Sequence, residues 1–288
     1  MTPLREGTLA LPDGRRIGWL EEGAPGGRPV FAFHGLPGSR RQRHPDAALA
    51  EAAGARVIHL ERPGFGWSTP APGRRLLDWP RDVGACADAL GIARFAIAGI
   101  SGGGPYALAC LHVLGARLVR VAVVSGVGPP GSMARGMMPL ARLGFALAPR
   151  WPVLVRAVLR PLARLAVRAP DRYLARIAAH MDAADRPILA RPAVRAMFAE
   201  DYAAAFAQDI QPMVDDLGLL ASPWGFTPGA PPCPVAFWHG DADRMVPPSA
   251  SEALVAAVPG AELHRLPGAG HFAVFDRWAE VLGWLMRE

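Results

Sequence analysis

Residues 95–105 read Phe95-Ala96-Ile97-Ala98-Gly99-Ile100-Ser101-Gly102-Gly103-Gly104-Pro105, an apolar run that meets a glycine-flanked serine and then a helix-like stretch from Tyr106. The run 95–100 fits a strand buried on both faces. Glycines two before and two after Ser101 fit a strained strand-to-helix turn that lifts a hydroxyl clear of the sheet. A Gly-x-Ser-x-Gly arises by chance in about one sequence in ten at this glycine and serine content. Its surroundings therefore decide what it means.

Outward from this turn the chain alternates. Residues 8–11 and 16–20, joined by Pro12-Asp13-Gly14, read as a β-hairpin. Strands follow at 29–33, 56–60 and 118–125, interleaved with helices at 47–53, 82–90 and 106–114. Short apolar strands alternating with amphipathic helices predict a mostly parallel sheet flanked by helices. From 129 to 232 no strand pattern appears, only helical stretches broken by prolines at 139, 149, 152, 161, 170, 187 and 192. The rhythm returns with a strand at 235–238, a helix at 251–258, a strand at 261–266 and a helix at 274–286. A helical block set between two strands of one sheet predicts an inserted cap, or lid.

A length of 288 residues and 51% hydrophobic content suit one α/β domain with an insertion or two modest domains. The first 25 residues lack a basic start followed by an apolar stretch, so no signal peptide is expected. Residues 95–116 carry no formal charge and are long enough to cross a bilayer, but Gly102-Gly103-Gly104-Pro105 makes them a strand, a turn and a buried helix. Cys86, Cys110 and Cys233 show no metal-ligand spacing and suit free thiols in a reducing cytoplasm. The net charge is +6, yet all 31 basic residues are arginine, and lysine and asparagine are both absent. That bias follows from a GC-rich genome, and no nucleic-acid partner is expected.

A serine hydroxyl needs an imidazole to take its proton and a carboxylate to orient that imidazole. Open α/β sheets place such groups just beyond the carboxyl ends of strands. After the strand at 235–238 comes His239-Gly240-Asp241-Ala242-Asp243, and either aspartate suits the role. After the strand at 261–266 comes Pro267-Gly268-Ala269-Gly270-His271, which presents His271 as the base, whereas His264 lies within the strand. An oxyanion hole needs two backbone N–H groups. Gly102 follows the serine directly, and the loop His34-Gly35-Leu36-Pro37-Gly38 puts Leu36 in the second position.

With these residues placed, the chain resembles a serine-nucleophile member of the α/β-hydrolase superfamily. The motifs His34-Gly35, Arg62-Pro63-Gly64-Phe65-Gly66-Trp67-Ser68, Gly99 to Gly103, Gly240-Asp241-Ala242-Asp243 and Gly270-His271 stand in that family's order, serine before aspartate before histidine. The resemblance implies an α/β-hydrolase core from 1–128 and 231–288 with a helical cap at 129–230. It assigns the acid to Asp243 and gives His34 a supporting role in the oxyanion loop. One departure is Glu61, where relatives usually carry aspartate before Arg-Pro-Gly. Dehalogenases and epoxide hydrolases of this fold carry aspartate at the elbow, so Ser101 argues against both.

The expected activity is hydrolysis of an ester, lactone or thioester of a small to medium apolar acid through an acyl-enzyme. No cofactor and no metal are required. The alternatives on the same frame are a proline aminopeptidase, with Glu200 and Asp201 as lid carboxylates for an amine, a perhydrolase or a carbon–carbon bond hydrolase. A ligand-binding receptor without catalysis is the alternative of another class. Met133, Met137, Met138, Trp224 and Phe226 are candidates for an acyl pocket or, equally, for plain packing in an apolar lid. Histidines 44, 59, 112 and 180 read as structural or surface residues.

The stretch 133–170 holds seven arginines and no acid. Arg156, Arg160, Arg164 and Arg168 recur every fourth residue and, on one helix, form a stripe opposite Val155, Leu159, Leu162 and Leu165. Pro161 is expected to interrupt that helix. A solvated face pairing with acids elsewhere is the expected role, with an anionic membrane surface as the alternative.

Overall fold

The computed structural model describes residues 3–133 and 136–288. Eight strands form one sheet: β1 (Arg5–Ala10), β2 (Arg16–Gly23), β3 (Arg28–Phe33), β4 (Ala55–Leu60), β5 (Phe95–Ile100), β6 (Leu118–Val124), β7 (Val235–Gly240) and β8 (Glu262–Leu266). Their order is β1-β2-β4-β3-β5-β6-β7-β8. The pairs β1·β2 and β2·β4 are antiparallel and every other pair is parallel. The hairpin is longer than the sequence suggests, because pairing runs back to Arg5 opposite Glu21.

The two-residue period of each central strand sorts the core by size. Phe31, Phe33, Phe95, Ile97, Val121, Val123 and Phe237 point to one face, against α2 (Trp79–Ala89), α3 (Gly104–Leu114) and α10 (Ser249–Ala257). Val30, Ala32, Ala96, Ala98, Ala122 and Ala236 point to the other, beneath α1 (Ala48–Ala52) and α11 (Val274–Leu285). Both faces are covered, as a parallel sheet requires. The helix after Ser101 starts earlier than expected, at Gly104, and α2 starts at Trp79 because Pro80 suits a first turn.

Among the described residues, six helices lie between β6 and β7: α4 (Pro139–Leu147), α5 (Pro152–Arg168), α6 (Pro170–Ala178), α7 (Arg186–Ala190), α8 (Pro192–Ala205) and α9 (Gln211–Ala221). Most of the prolines that look like breaks in the sequence are starts. Pro139, Pro152, Pro170, Pro187, Pro192 and Pro212 each occupy a first turn, where the missing N–H has no intrahelical acceptor to lose. Pro161 is a different correction, since α5 runs straight through it. Pro161 and Ala157, whose carbonyl it leaves unbonded, both face solvent, while Val155, Ala163 and Ala166 hold the opposite side in the core.

The arginine stripe also departs from expectation. Arg156 pairs with Asp209 at 2.8 Å, but Arg160, Arg164 and Arg168 have no ion pair among the described residues. Arg135, another member of that basic stretch, lies outside the described residues. No helix among the described residues is long and apolar enough to cross a membrane.

Candidate active site

All the parallel strands point the same way, so the segments leaving β3, β4, β5, β7 and β8 converge at one edge of the sheet. Ser101 leaves β5 at φ +51° and opens a short 3-10 turn over Ser101–Gly103 before α3. That backbone is costly for a residue with a Cβ. It is held by close packing: a Cβ on Gly99 would lie 2.7 Å from Gly103 O, and one on Gly103 would lie 2.3 Å from Phe33 O. The two flanking glycines let the helix approach the strands closely enough to fix the turn.

Ser101 Oγ lies 3.0 Å from His271 Nε2. His271 Nδ1–H donates to Asp243 Oδ2 at 2.7 Å, and Asp243 Oδ1 accepts the N–H groups of Met245 and Val246, each at 2.9 Å. Asp241 instead faces outward and accepts the Gly268 N–H at 2.7 Å. Burial raises the Asp243 carboxyl, but the charge of His271 and hydrogen bonds from His239 and His271 outweigh it and hold the group below its ordinary range. Burial alone would lower His271. The Asp243 charge, its hydrogen bond and the more distant Asp185 charge together raise it instead.

Asp185, just before α7 in the cap, has no signal in the sequence. Its carboxylate accepts the backbone N–H of His271 at 3.0 Å and of Phe272 at 2.9 Å. A Cβ at residue 270 would lie 2.3 Å from Asp185 Oδ1, so Gly270 is what lets the carboxylate reach. A cap residue thereby fixes the turn that carries the imidazole.

The loop 34–39 after β3 is fixed from two sides. His34 Nδ1–H donates to Gly35 O at 2.9 Å while its Nε2 accepts the Arg62 N–H at 3.2 Å. Burial and the Arg62 charge lower His34 well below its ordinary value, so the ring is neutral and supports the loop. The fully buried Arg62 guanidinium donates to His34 O and Gly35 O and, at 2.7 Å, to Asp216 of α9. Asp216 also accepts Arg74 at 2.7 Å and the Tyr106 hydroxyl at 2.6 Å. From the cap side, Asp201 accepts the Ser39 N–H at 2.7 Å and Gln42 Nε2–H at 3.0 Å, and Gln42 Oε1 accepts the Gly35 N–H at 2.5 Å. A Cβ on Gly102 would lie 3.4 Å from Leu36 N, so the two residues are close neighbours, and neither N–H is engaged by another group among the described residues. Both residues line the same cavity as Ser101 and His271.

That cavity has a volume of about 490 Å³. Its walls are chiefly apolar, with Phe145, Leu159, Leu162, Met213, Leu217 and Leu220 supplied by the cap. Of the five residues weighed between an acyl pocket and plain packing, Met138 lines the cavity. Met133, Met137 and Trp224 pack in the main core, and Phe226 stacks on Trp224. Glu200 and Asp201 do not line it either: Glu200 lies 3.6 Å from Arg41, and Asp201, pushed up to about 7 by burial against its donors Ser39 and Gln42, is wholly enclosed. Glu61 is buried outside the cavity, where its carboxylate meets Arg40 at 2.7 Å and the Trp67 N–H at 2.8 Å.

A hydroxyl, an imidazole and a carboxylate in series, beside two unengaged N–H groups, can move a proton off Ser101 and hold a negative oxygen near it. A family model described as alpha/beta hydrolase fold matches residues 28–277. A proline iminopeptidase of Xylella fastidiosa (strain 9a5c) is 33% identical over 118 residues, 38% of this chain and 36% of that protein. The chain spans about a third of the length of the curated relatives it matches. Two solved structures share the fold at low identity. An enol-lactonase from Burkholderia xenovorans LB400 superposes with a TM-score of 0.69 at 19% identity, covering 98% of this chain and 100% of that one. A thermophilic esterase from Thermogutta terrifontis gives 0.65 at 21% identity, covering 98% and 96%.

Proposed function

The chain belongs to the α/β-hydrolase fold family, and on that premise we propose that it hydrolyses an ester-like bond of a small to medium apolar acyl substrate through an acyl-enzyme on Ser101. One observation carries this reading: the Ser101–His271–Asp243 series, with spacings of 3.0 and 2.7 Å, opens into an apolar cavity of about 490 Å³. Ser101 Oγ attacks the carbonyl carbon as its proton passes to His271 Nε2. The carbonyl oxygen takes the negative charge and accepts the N–H groups of Leu36 and Gly102. Collapse breaks the bond to the leaving alkoxide, which takes the proton from His271. Water then gives a proton to His271 and attacks the acyl carbon, and Ser101 recovers its proton as the acid leaves. Asp243 keeps Nδ1 protonated throughout and offsets the imidazolium charge.

The cavity walls set the substrate class. Turnover of p-nitrophenyl esters, measured as kcat/KM, is expected to rise about fourfold for each methylene the apolar walls bury, until the cavity is full. The family also contains aminopeptidases, and the iminopeptidase relative favours including a prolyl amide in the same panel. With Glu200 and Asp201 outside the cavity, prolyl amides should be the poorer substrates. Prolyl amide turnover above that of every ester would overturn the substrate class.

His271 accepts a proton only when neutral, and its surroundings raise its pKa above the ordinary 6.5. Activity should therefore fall as pH drops through a midpoint above 6.5. Replacing Asp185 with asparagine removes one of the charges that raise His271, so the acid limb should move to lower pH. The variant also weakens two buried acceptors, at a cost of about 1–3 kcal/mol in stability. A pH profile of kcat/KM with an unmoved midpoint would contradict the electrostatic role of Asp185.

The three cysteines are free and buried, which supports the reading of a reducing, cytoplasmic compartment.

A further inference from the structure

Helices α4 and α5 face two ways. Phe145, Leu159 and Leu162 turn inward to the cavity. On the outside, Leu143 is 53% exposed, Trp151 60%, Val153 81%, Leu154 51% and Val158 61%. Soluble proteins rarely leave a contiguous group of large apolar side chains so open without a partner for it.

The stretch that carries this patch has charge of one sign. From 139 to 170 there is no acidic residue, and Arg142, Arg150, Arg160, Arg164 and Arg168 are all exposed and without an ion pair among the described residues. A second cavity of about 220 Å³ opens beside them. Arg160, Arg164 and Arg168 line it together with Val167, Phe206 and Asp209, whose carboxylate is committed to Arg156. Three unpaired guanidinium groups around one small recess suit an anion such as a phosphate diester.

We propose that the outer face of α4 and α5 docks on an anionic phospholipid bilayer. Trp151, Val153, Leu154 and Val158 enter the boundary between headgroups and acyl chains, and the recess of Arg160, Arg164 and Arg168 takes a headgroup phosphate. The charge pattern selects this occupant. A second copy meeting the same face about a two-fold axis would set unpaired arginines against arginines. Nucleic acid would leave the apolar ridge without a partner. A bilayer with anionic headgroups satisfies both features, and neither depends on the chemistry at Ser101.

Sedimentation of the full chain with vesicles tests this. Binding is expected to vesicles of phosphatidylcholine mixed with phosphatidylglycerol, to weaken as salt rises, and to be weak or absent with phosphatidylcholine alone. Changing Arg160, Arg164 and Arg168 together to glutamine should weaken binding on the order of a hundredfold. Changing Val153, Leu154 and Val158 together to serine should abolish it. All six side chains are solvent-facing in the fold, and circular dichroism and thermal melts report whether each variant remains folded. Equal binding to both vesicle types would overturn the proposal. So would unchanged binding of either folded variant, uptake of inorganic phosphate without vesicle binding, or a dimer disrupted by the serine variant in place of vesicle binding.

Discussion

Replacing Ser101 with alanine is expected to lower kcat for an ester by about a millionfold, with the protein still folded. Alanine keeps the Cβ and meets the same φ of +51°, so the turn and its glycine contacts are retained. Only the hydroxyl goes, and with it the covalent intermediate. Replacing Asp243 with asparagine should cost on the order of ten-thousandfold, because an amide facing His271 favours the tautomer with the proton on Nε2. That ring cannot take the proton of Ser101 at 3.0 Å. A double variant should be little worse than Ser101→Ala alone, since the groups act as one unit. Steady-state kinetics on the three proteins tests the series, and a tenfold loss or less in Ser101→Ala would remove Ser101 from the chemistry.

The largest effect on stability is expected at Arg62. Its guanidinium is fully buried and joins Asp216 of the cap to the carbonyls of His34 and Gly35. Changing Arg62 to methionine keeps the bulk but leaves the buried His34 carbonyl without a donor, takes one of two donors from the Gly35 carbonyl and takes one of two cationic partners from Asp216. The expected cost is about 3–5 kcal/mol, read from denaturant unfolding. Burial raises Asp216, yet the charges of Arg62 and Arg74 lower it further, to about 2. A carboxyl lowered in the folded state adds stability that is present above its ordinary 3.8 and is lost as pH falls toward 2. In Arg62→Met that acid loss should begin at higher pH. Because the same guanidinium fixes the carbonyls next to Leu36, residual activity in the folded fraction should drop as well.

What the sequence conveyed depended on how local each signal is. The Ser101 turn, the His271 loop and the two aspartates at 241 and 243 each lie within a few residues of a strand end, where glycine and polarity stand out from apolar runs. The supporting carboxylates do not. Asp185 meets a backbone N–H 86 positions away, Asp216 meets Arg62 across 154 and Asp201 meets Ser39 across 162. A lone aspartate on a cap helix carries no local mark of the partner it will find. The prolines of the cap were legible as boundaries but not in sense, because a missing N–H is equally compatible with an ending and with a first turn. Pro161 gives no such signal, because its tolerance depends on which face of α5 meets solvent. The sequence leaves pocket and packing open for the same reason: Met133, Met137 and Trp224 take the packing role in the core, while leucines on the inner faces of α5 and α9 form walls of the cavity.

The cap emerges as more than a cover. Asp185 fixes the histidine turn, while Asp201 and Asp216 fix the loop that carries Leu36. A change in the cap should therefore alter rate as well as substrate range.

Covalent labelling shows whether Ser101 is the nucleophile. Incubation with a fluorophosphonate followed by peptide mass mapping should give one adduct, on Ser101, that is lost in Ser101→Ala and much slower to form in Asp243→Asn. An adduct on a different serine, or no adduct on a protein shown to be folded, would contradict that role.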